Sequence, residues 1–246
     1  GLLRRFAPRN DGDMIKIGRR AVNTVRYVLE DLLPPALRDS PLFRPLMYLA
    51  WGRNARRFIA FRDRIRTMGA EEYASYYAAL VPISGDCDLN QACFDRILAE
   101  CVGDSILDAG CGRGRLADAV ARANPGLAVV GVDLAPPTGR GAANLRFEAG
   151  WIGALAFPDK SFDTVLCTHT LEHVLDLEGA LADLRRIARR RLILVVPRER
   201  ESRYPFNLHV HFFPYLHTFH NRIHPPEGRF VCEPLQGDLY YREDMA

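Results

Sequence analysis

The stretch Cys167 to Val174, CTHTLEHV, sets His169, Glu172 and His173 in the pattern His-x-x-Glu-His. Two imidazoles and a carboxylate at this spacing can ligate a metal, belong to a protease signature, or take protons as general bases. If a helix starts here, positions i, i+3 and i+4 share one face and present all three side chains together. Five more histidines, His209, His211, His217, His220 and His224, fall within 16 residues downstream. In an extended His209-Val210-His211 the two imidazoles face the same side. His209 and His211 are therefore expected as further ligands for a divalent transition metal held by His169, Glu172 and His173. Mixed imidazole and carboxylate donors suit zinc, iron, manganese or nickel rather than magnesium. Without a metal, His173 or His169 is the expected base for a hydroxyl proton.

A second group of residues points to a bound cofactor. ILDAGCGRGRL places Gly110, Gly112 and Gly114 between an apolar run and a helical pattern. Glycines let a backbone approach a ligand closely, and a helix N-terminus offers free N–H groups. The next apolar run, VVGVDL, ends in Asp133, 19 residues after Gly114. A carboxylate at such a strand tip can accept from both hydroxyls of a ribose. Dinucleotide folds favour Gly-x-Gly-x-x-Gly, but the third position after Gly112 is Arg115, and Asp108 precedes the glycines. An acidic strand end repels a pyrophosphate and suits a cofactor with a cationic amino-acid end, which points to S-adenosylmethionine.

These residues need elements to hold them. From Asn90 the chain alternates: helix in NQACFDRILAECV, strand in SILDAGCG, helix in RLADAVARANP, strands in LAVVGVDL, NLRFEAG and FDTVLCTH, helix in LEGALADLRRIARR and strand in RLILVVP. That rhythm predicts right-handed βαβ units and a mostly parallel, Rossmann-like α/β sheet covered on both faces. RFVCEPLQGDLYY predicts an antiparallel hairpin at the sheet edge. Before Asn90 the pattern is all-helical. One helix is expected over residues 14–33, ended by Pro34-Pro35; one or two more over Pro41 to Met68; and a last one from Gly69 to Pro82. Residues 1–85 are read as a helical cap and substrate lid, and 86–246 as the catalytic fold.

LDAGCGRGRLA, VVGVDL, LAFPDKSFDTVLCTHTLEHV and RLILVVP, in this order from about residue 104 to 197, resemble the class I S-adenosylmethionine (SAM)-dependent methyltransferases of the methyltransferase-domain type. The resemblance implies a seven-stranded sheet with SAM at the carboxyl ends of its strands and S-adenosylhomocysteine as product. It implies that Asp108, Gly110, Cys111, Gly112 and Gly114 cradle the methionine portion, that Asp133 binds the ribose, and that Leu134 packs on adenine. Thr168, at the end of the fourth strand, is expected beside the cofactor. Relatives commonly carry Asp after Gly in the segment that meets the adenine amino group. Here that slot holds Trp151, so Trp151 and the backbone at Ile152 are expected to line the pocket instead. In this frame the protease reading falls away. Some metal-assisted relatives place Glu-x-x-Glu-His where this chain has His-x-x-Glu-His.

The expected reaction is O-methylation of a small-molecule hydroxyl on a sugar, phosphorylated or natural-product intermediate. Phe212, Phe213, Tyr215 and Phe219 are expected either to wall the acceptor pocket or to pack a lid helix, and Tyr76 and Tyr77 to close over the cofactor. Residues 1–66 hold 15 Lys and Arg against 6 Asp and Glu, leaving 18 against 24 in the remainder. Such an arm can meet nucleic acid or anionic lipid, or be a solvated face. It supports an alternative reading, RNA 2′-O-methylation. A non-catalytic SAM-binding scaffold is the alternative of another class. The six cysteines form no metal or disulfide spacing, so reduced thiols and a cytoplasmic location are expected. No apolar run reaches the ~20 residues of a membrane span, and Gly1 to Arg5 lacks a signal-peptide layout.

Overall fold

The computed structural model describes residues 32–52, 55–69, 71–73, 75–76, 89–139, 141–204 and 207–246. The chain divides into two compact units, Gly1–Ser84 with Glu199–Val210, and Gly85–Arg198 with His211–Ala246.

In the first unit α1 (Pro35–Arg38), a 3-10 turn (Pro41–Phe43), α2 (Arg44–Trp51), α3 (Ala55–Arg64) and a second 3-10 turn (Ile65–Thr67) follow one another. Pro35 opens α1, where its fixed φ and missing N–H suit the first helical position. Most of the helix expected over residues 14–33, and the end of the last one at Pro82, lie outside the described residues. Met47, Phe58, Phe61 and Tyr73 are buried, and the Phe61 ring meets the rings of Tyr73 and Tyr76. Residues 199–210 join this unit through arginines: Arg38 Nη2 donates to the Glu201 carbonyl (2.7 Å) and Arg62 Nη1 to the His209 carbonyl (3.2 Å). The Arg203 amide donates to Asp39 Oδ1 (3.0 Å).

The second unit is a seven-stranded sheet of order β3-β2-β1-β4-β5-β7-β6. Its strands are β1 (Ser105–Ala109), β2 (Ala128–Asp133), β3 (Leu145–Ala149), β4 (Phe162–Thr168), β5 (Ala188–Pro197), β6 (Phe230–Leu235) and β7 (Asp238–Asp244). The first five pair in parallel, and β7 runs antiparallel to both β5 and β6. β1 and β4 are buried nearly throughout, and β5 from Leu192 onward, which is why these stretches read as largely apolar runs. α4 (Gln91–Glu100), α5 (Arg115–Ala123), α6 (Leu177–Ile187) and α7 (Leu216–Ile223) complete the unit. Two buried clusters result, one built with α6 and α7 and one with α4 and α5. The α4 N-terminus is capped by Asn90, whose side chain accepts from the Cys93 amide (2.9 Å), and α6 by Asp176, which accepts from Gly179 (2.9 Å).

Two details differ from the sequence reading. α6 ends at Ile187, not near Arg190, because Ala188 already pairs with Phe162 on β4 and the Arg190 carbonyl accepts from Met245. Sheet pairing overrides the helical propensity of the arginine run. The hairpin between β6 and β7 turns at Gln236 and Gly237, both with positive φ (48° and 94°), the conformation that suits a two-residue connection. Pro234 is tolerated because β6 is an edge strand. No described helix is long and apolar enough to cross a membrane.

Candidate active site

β1 and β4 are neighbours, while the chain winds outward from them in both directions, so the sheet reverses order between these strands. At such a switch point the loops after the two strands diverge and leave a crevice at the carboxyl ends. The glycine turn follows β1 and the histidine motif follows β4.

Gly110, Gly112 and Gly114 have φ of 79°, 52° and 78°, where other residues are strained. Their reasons for being glycine differ. A Cβ on Gly110 would lie 2.2 Å from Thr170 Oγ1 and one on Gly114 2.3 Å from the Phe147 ring, whereas one on Gly112 would meet nothing within 4 Å. Gly110 and Gly114 are therefore packed, and Gly112 faces open space. Asp133 holds the turn: its Oδ2 accepts from the Gly112 amide (3.0 Å) and its Oδ1 from the Ala135 amide (3.1 Å). Gly110 and Cys111 donate to the Val132 carbonyl. Leu134 is exposed beside Asp133.

Asp108 is buried at the end of β1. Neither carboxylate oxygen makes a hydrogen bond of good geometry; the Ala117 amide on α5 is close enough only to offset part of the cost of burial. Desolvation, with the Asp133 charge adding to it, raises this carboxyl to about 7. A buried carboxyl with no well-formed hydrogen bond among the described residues, beside the glycine turn, is what an incoming cation would satisfy. This arrangement fits the amino-acid end and ribose of SAM. After β3, Trp151 and Ile152 are half-buried. Their segment is pinned to α6 through Asp183, whose Oδ2 accepts from Gly153 (3.1 Å) and Leu155 (2.8 Å). The Gly150 amide donates to the Asp133 carbonyl (3.1 Å), which brings this segment to the end of β2.

The histidine motif is not a continuous helix. β4 runs to Thr168, His169 takes a left-handed φ of 49°, and only Leu171–His173 form a 3-10 turn. The expected helical face of His169, Glu172 and His173 is therefore corrected, because His169 lies outside the turn. Its amide remains in the sheet, donating to the Val195 carbonyl (2.8 Å). Its imidazole sits between two carboxylates: Nε2 lies 3.2 Å from Asp238 Oδ2 and Nδ1 3.7 Å from Glu172 Oε1. Asp238 in turn accepts from Asn90 Nδ2 (2.7 Å). A line of four side chains, Asn90, Asp238, His169 and Glu172, thus crosses the ends of α4, β7 and β4. Thr170 Oγ1 reaches the Gly110 carbonyl (3.3 Å) and so ties this loop to the glycine turn.

Sequence reading missed Asp238 and Asn90. Asn90 carried a visible signal as a helix cap, whereas Asp238 carried none, since it joins the site only because β7 returns beside β5.

His211 donates its amide to the Glu172 carbonyl (3.1 Å). Its ring lies 3.3 Å from Arg222 Nη2, and burial, with the Arg222 charge second, depresses its pKa. His209 belongs to the first unit, where Nδ1 meets Glu199 Oε2 at 2.5 Å while Asn207 holds the other Glu199 oxygen (2.7 Å). Phe213 and Phe219 are buried and stack edge to face at 5.1 Å, Phe219 also meeting Tyr241. Of the two expected roles for these rings, they fill the one of packing α7. Tyr77 lies outside the described residues.

A methyltransferase-domain family model matches residues 107–196. Over 98 residues the chain is 38% identical to a demethylmenaquinone methyltransferase of Tropheryma whipplei, a stretch covering 37% of this chain and 40% of that protein. Over 89 residues it is 44% identical to a ubiquinone biosynthesis O-methyltransferase of Paracidovorax citrulli, covering 32% of this chain and 37% of the relative. The chain thus aligns with about 40% of the length of these curated relatives. The crystal structure of a SAM-dependent methyltransferase from Aquifex aeolicus shares the fold, with a TM-score of 0.51 at 12% identity over 69% of this chain and 98% of that one. Residues 107–196, which carry the glycine turn at the sheet's switch point, thus resemble the methyltransferase-domain family.

Proposed function

We propose that the chain transfers the methyl group of SAM to a hydroxyl oxygen of a small molecule. One observation carries the reading: the bond from Thr170 to Gly110 sets the glycine turn directly against a loop bearing a half-buried histidine and a buried carboxylate. SAM, when bound, supplies an electrophilic methyl group. The chain's own work is to bind, orient and deprotonate. Asp108 meets the ammonium, Asp133 the ribose hydroxyls, and Leu134, Trp151 and Ile152 the adenine, with Thr168 at the strand end beside them. Asp238 orients the His169 ring, and the pair His169 and Glu172, with His173 on the same turn, receives the acceptor's proton. Holding an oxygen in line with the methyl group supplies much of the rate. The O-directed choice rests on the oxygen-methylating relative from Paracidovorax citrulli and on these proton-accepting groups.

A metal-assisted version would use His169, Glu172, His173 and His211 of the second unit. The Arg222 guanidinium beside His211 opposes it.

The test is thermal stabilisation by S-adenosylhomocysteine followed by transfer of labelled methyl from SAM to metabolites of an extract. Ligand at about 100 times its Kd should stabilise by about 2.7 kcal/mol; no stabilisation would sink the reading. Metal content after metal-free purification, compared with His169→Ala and His173→Ala, decides the metal-assisted version.

A further inference from the structure

We infer that the first unit carries a face that seats on an anionic lipid bilayer. Leu42, Leu46 and Leu49, on the 3-10 turn and α2, stand at i, i+4 and i+7 and so line one helical face. All three are exposed, Leu42 and Leu49 at 84% and 83%. Leu32 and Leu37, just before, are exposed too. Met47, on another face of α2, is fully buried and holds the helix to its unit. The leucines are therefore not needed for the fold of the described residues.

The charge around them is positive. Arg44 on α2 and Arg56 and Arg57 on α3 are exposed and form no ion pair among the described residues. α3 packs beside α2 and buries Phe58 and Phe61 while leaving these arginines outside. Residues 1–66 carry 15 Lys and Arg against 6 Asp and Glu. Projecting leucines flanked by exposed arginines match the two layers of a bilayer surface, acyl boundary and anionic headgroups. A protein partner would need carboxylates placed opposite Arg44, Arg56 and Arg57, whereas a bilayer supplies diffuse negative charge that needs no registry. No described helix is long and apolar enough to cross a membrane, and the contact inferred is one with the bilayer surface.

The test is co-sedimentation of the full chain with vesicles of phosphatidylcholine and phosphatidylglycerol, and of phosphatidylcholine alone. The chain should bind the mixed vesicles far more tightly, and raising salt should release it, because screening shortens from about 8 Å at physiological ionic strength to about 3 Å at 1 M. L42Q/L49Q should weaken binding by at least about tenfold, and R56Q/R57Q by roughly fivefold per arginine. These positions are exposed, so unchanged circular-dichroism melts show that the variants fold. Equal binding to both vesicle types, full binding by L42Q/L49Q, or no binding at low salt would overturn the inference. So would a concentration-dependent dimer lost in L42Q/L49Q without vesicle binding, which would make the face a contact between copies. The result is independent of methyl transfer, which is read separately by S-adenosylhomocysteine stabilisation.

Discussion

Replacing Asp108 with Asn should exchange cofactor affinity for stability, in a pH-dependent way. The buried carboxyl keeps its proton to about pH 7, against 3.8 ordinarily, through desolvation first and the Asp133 charge second. A raised folded-state value means that the folded chain binds this proton more tightly than the unfolded one. The stabilisation is complete below about pH 3.8 and is lost as pH rises through about 7. The full difference is worth roughly 4 kcal/mol, at about 1.4 kcal/mol per pH unit. Between about pH 5 and about pH 8 the wild type should lose about 2 to 3 kcal/mol from this group alone. Asp108→Asn removes that slope but leaves an amide without partners, a cost of about 1–3 kcal/mol. The variant should be the less stable protein near pH 4 and should equal or exceed wild type near pH 8. Urea unfolding of both proteins without ligand, across this range, measures it. Parallel stability curves would show that the Asp108 proton is not held as argued. In the same variant S-adenosylhomocysteine affinity should fall about tenfold or more, because a charge-assisted bond worth about 1.5–3 kcal/mol is lost.

Gly110→Ala should destabilise the fold by about 2–4 kcal/mol, since its Cβ would strike Thr170 Oγ1 at 2.2 Å and φ is 79°; denaturant midpoints read this, and an unchanged midpoint would contradict the packing. Asp133→Ala should weaken S-adenosylhomocysteine at least about tenfold by calorimetry, if Asp133 takes the ribose hydroxyls as proposed, because the anchor of Gly112 goes with it. His169→Ala should lower kcat roughly 100-fold or more. Asp238→Asn should lower it about tenfold with little change in cofactor affinity, as expected of a group that acts by orienting the imidazole; equal losses of affinity and turnover would instead mean a general collapse of the site.

Much of the second unit was legible in the residues. Strands buried on both faces must be largely apolar along their buried length, so β1, β4 and β5 from Leu192 onward stand out in one dimension. The glycines, Asp108 and Asp133 are equally legible because turn conformation and strand-end position are local properties. Where neighbouring elements compete, reading was less secure: the arginine run after α6 has helical propensity, yet pairing with β4 makes it strand.

What the sequence by itself determined is the alternating fold and the cofactor turn, both of which follow from local spacing and apolar pattern. Only the tertiary structure decided the surroundings of the histidine motif. His169 leaves the helical pattern because its amide completes the sheet on Val195 and its ring is drawn between Glu172 and Asp238. Asp238 stands 69 residues away in the chain and comes within 3.2 Å because β7 folds back antiparallel to β5. That juxtaposition depends on sheet order, a property of the whole chain that no local spacing encodes.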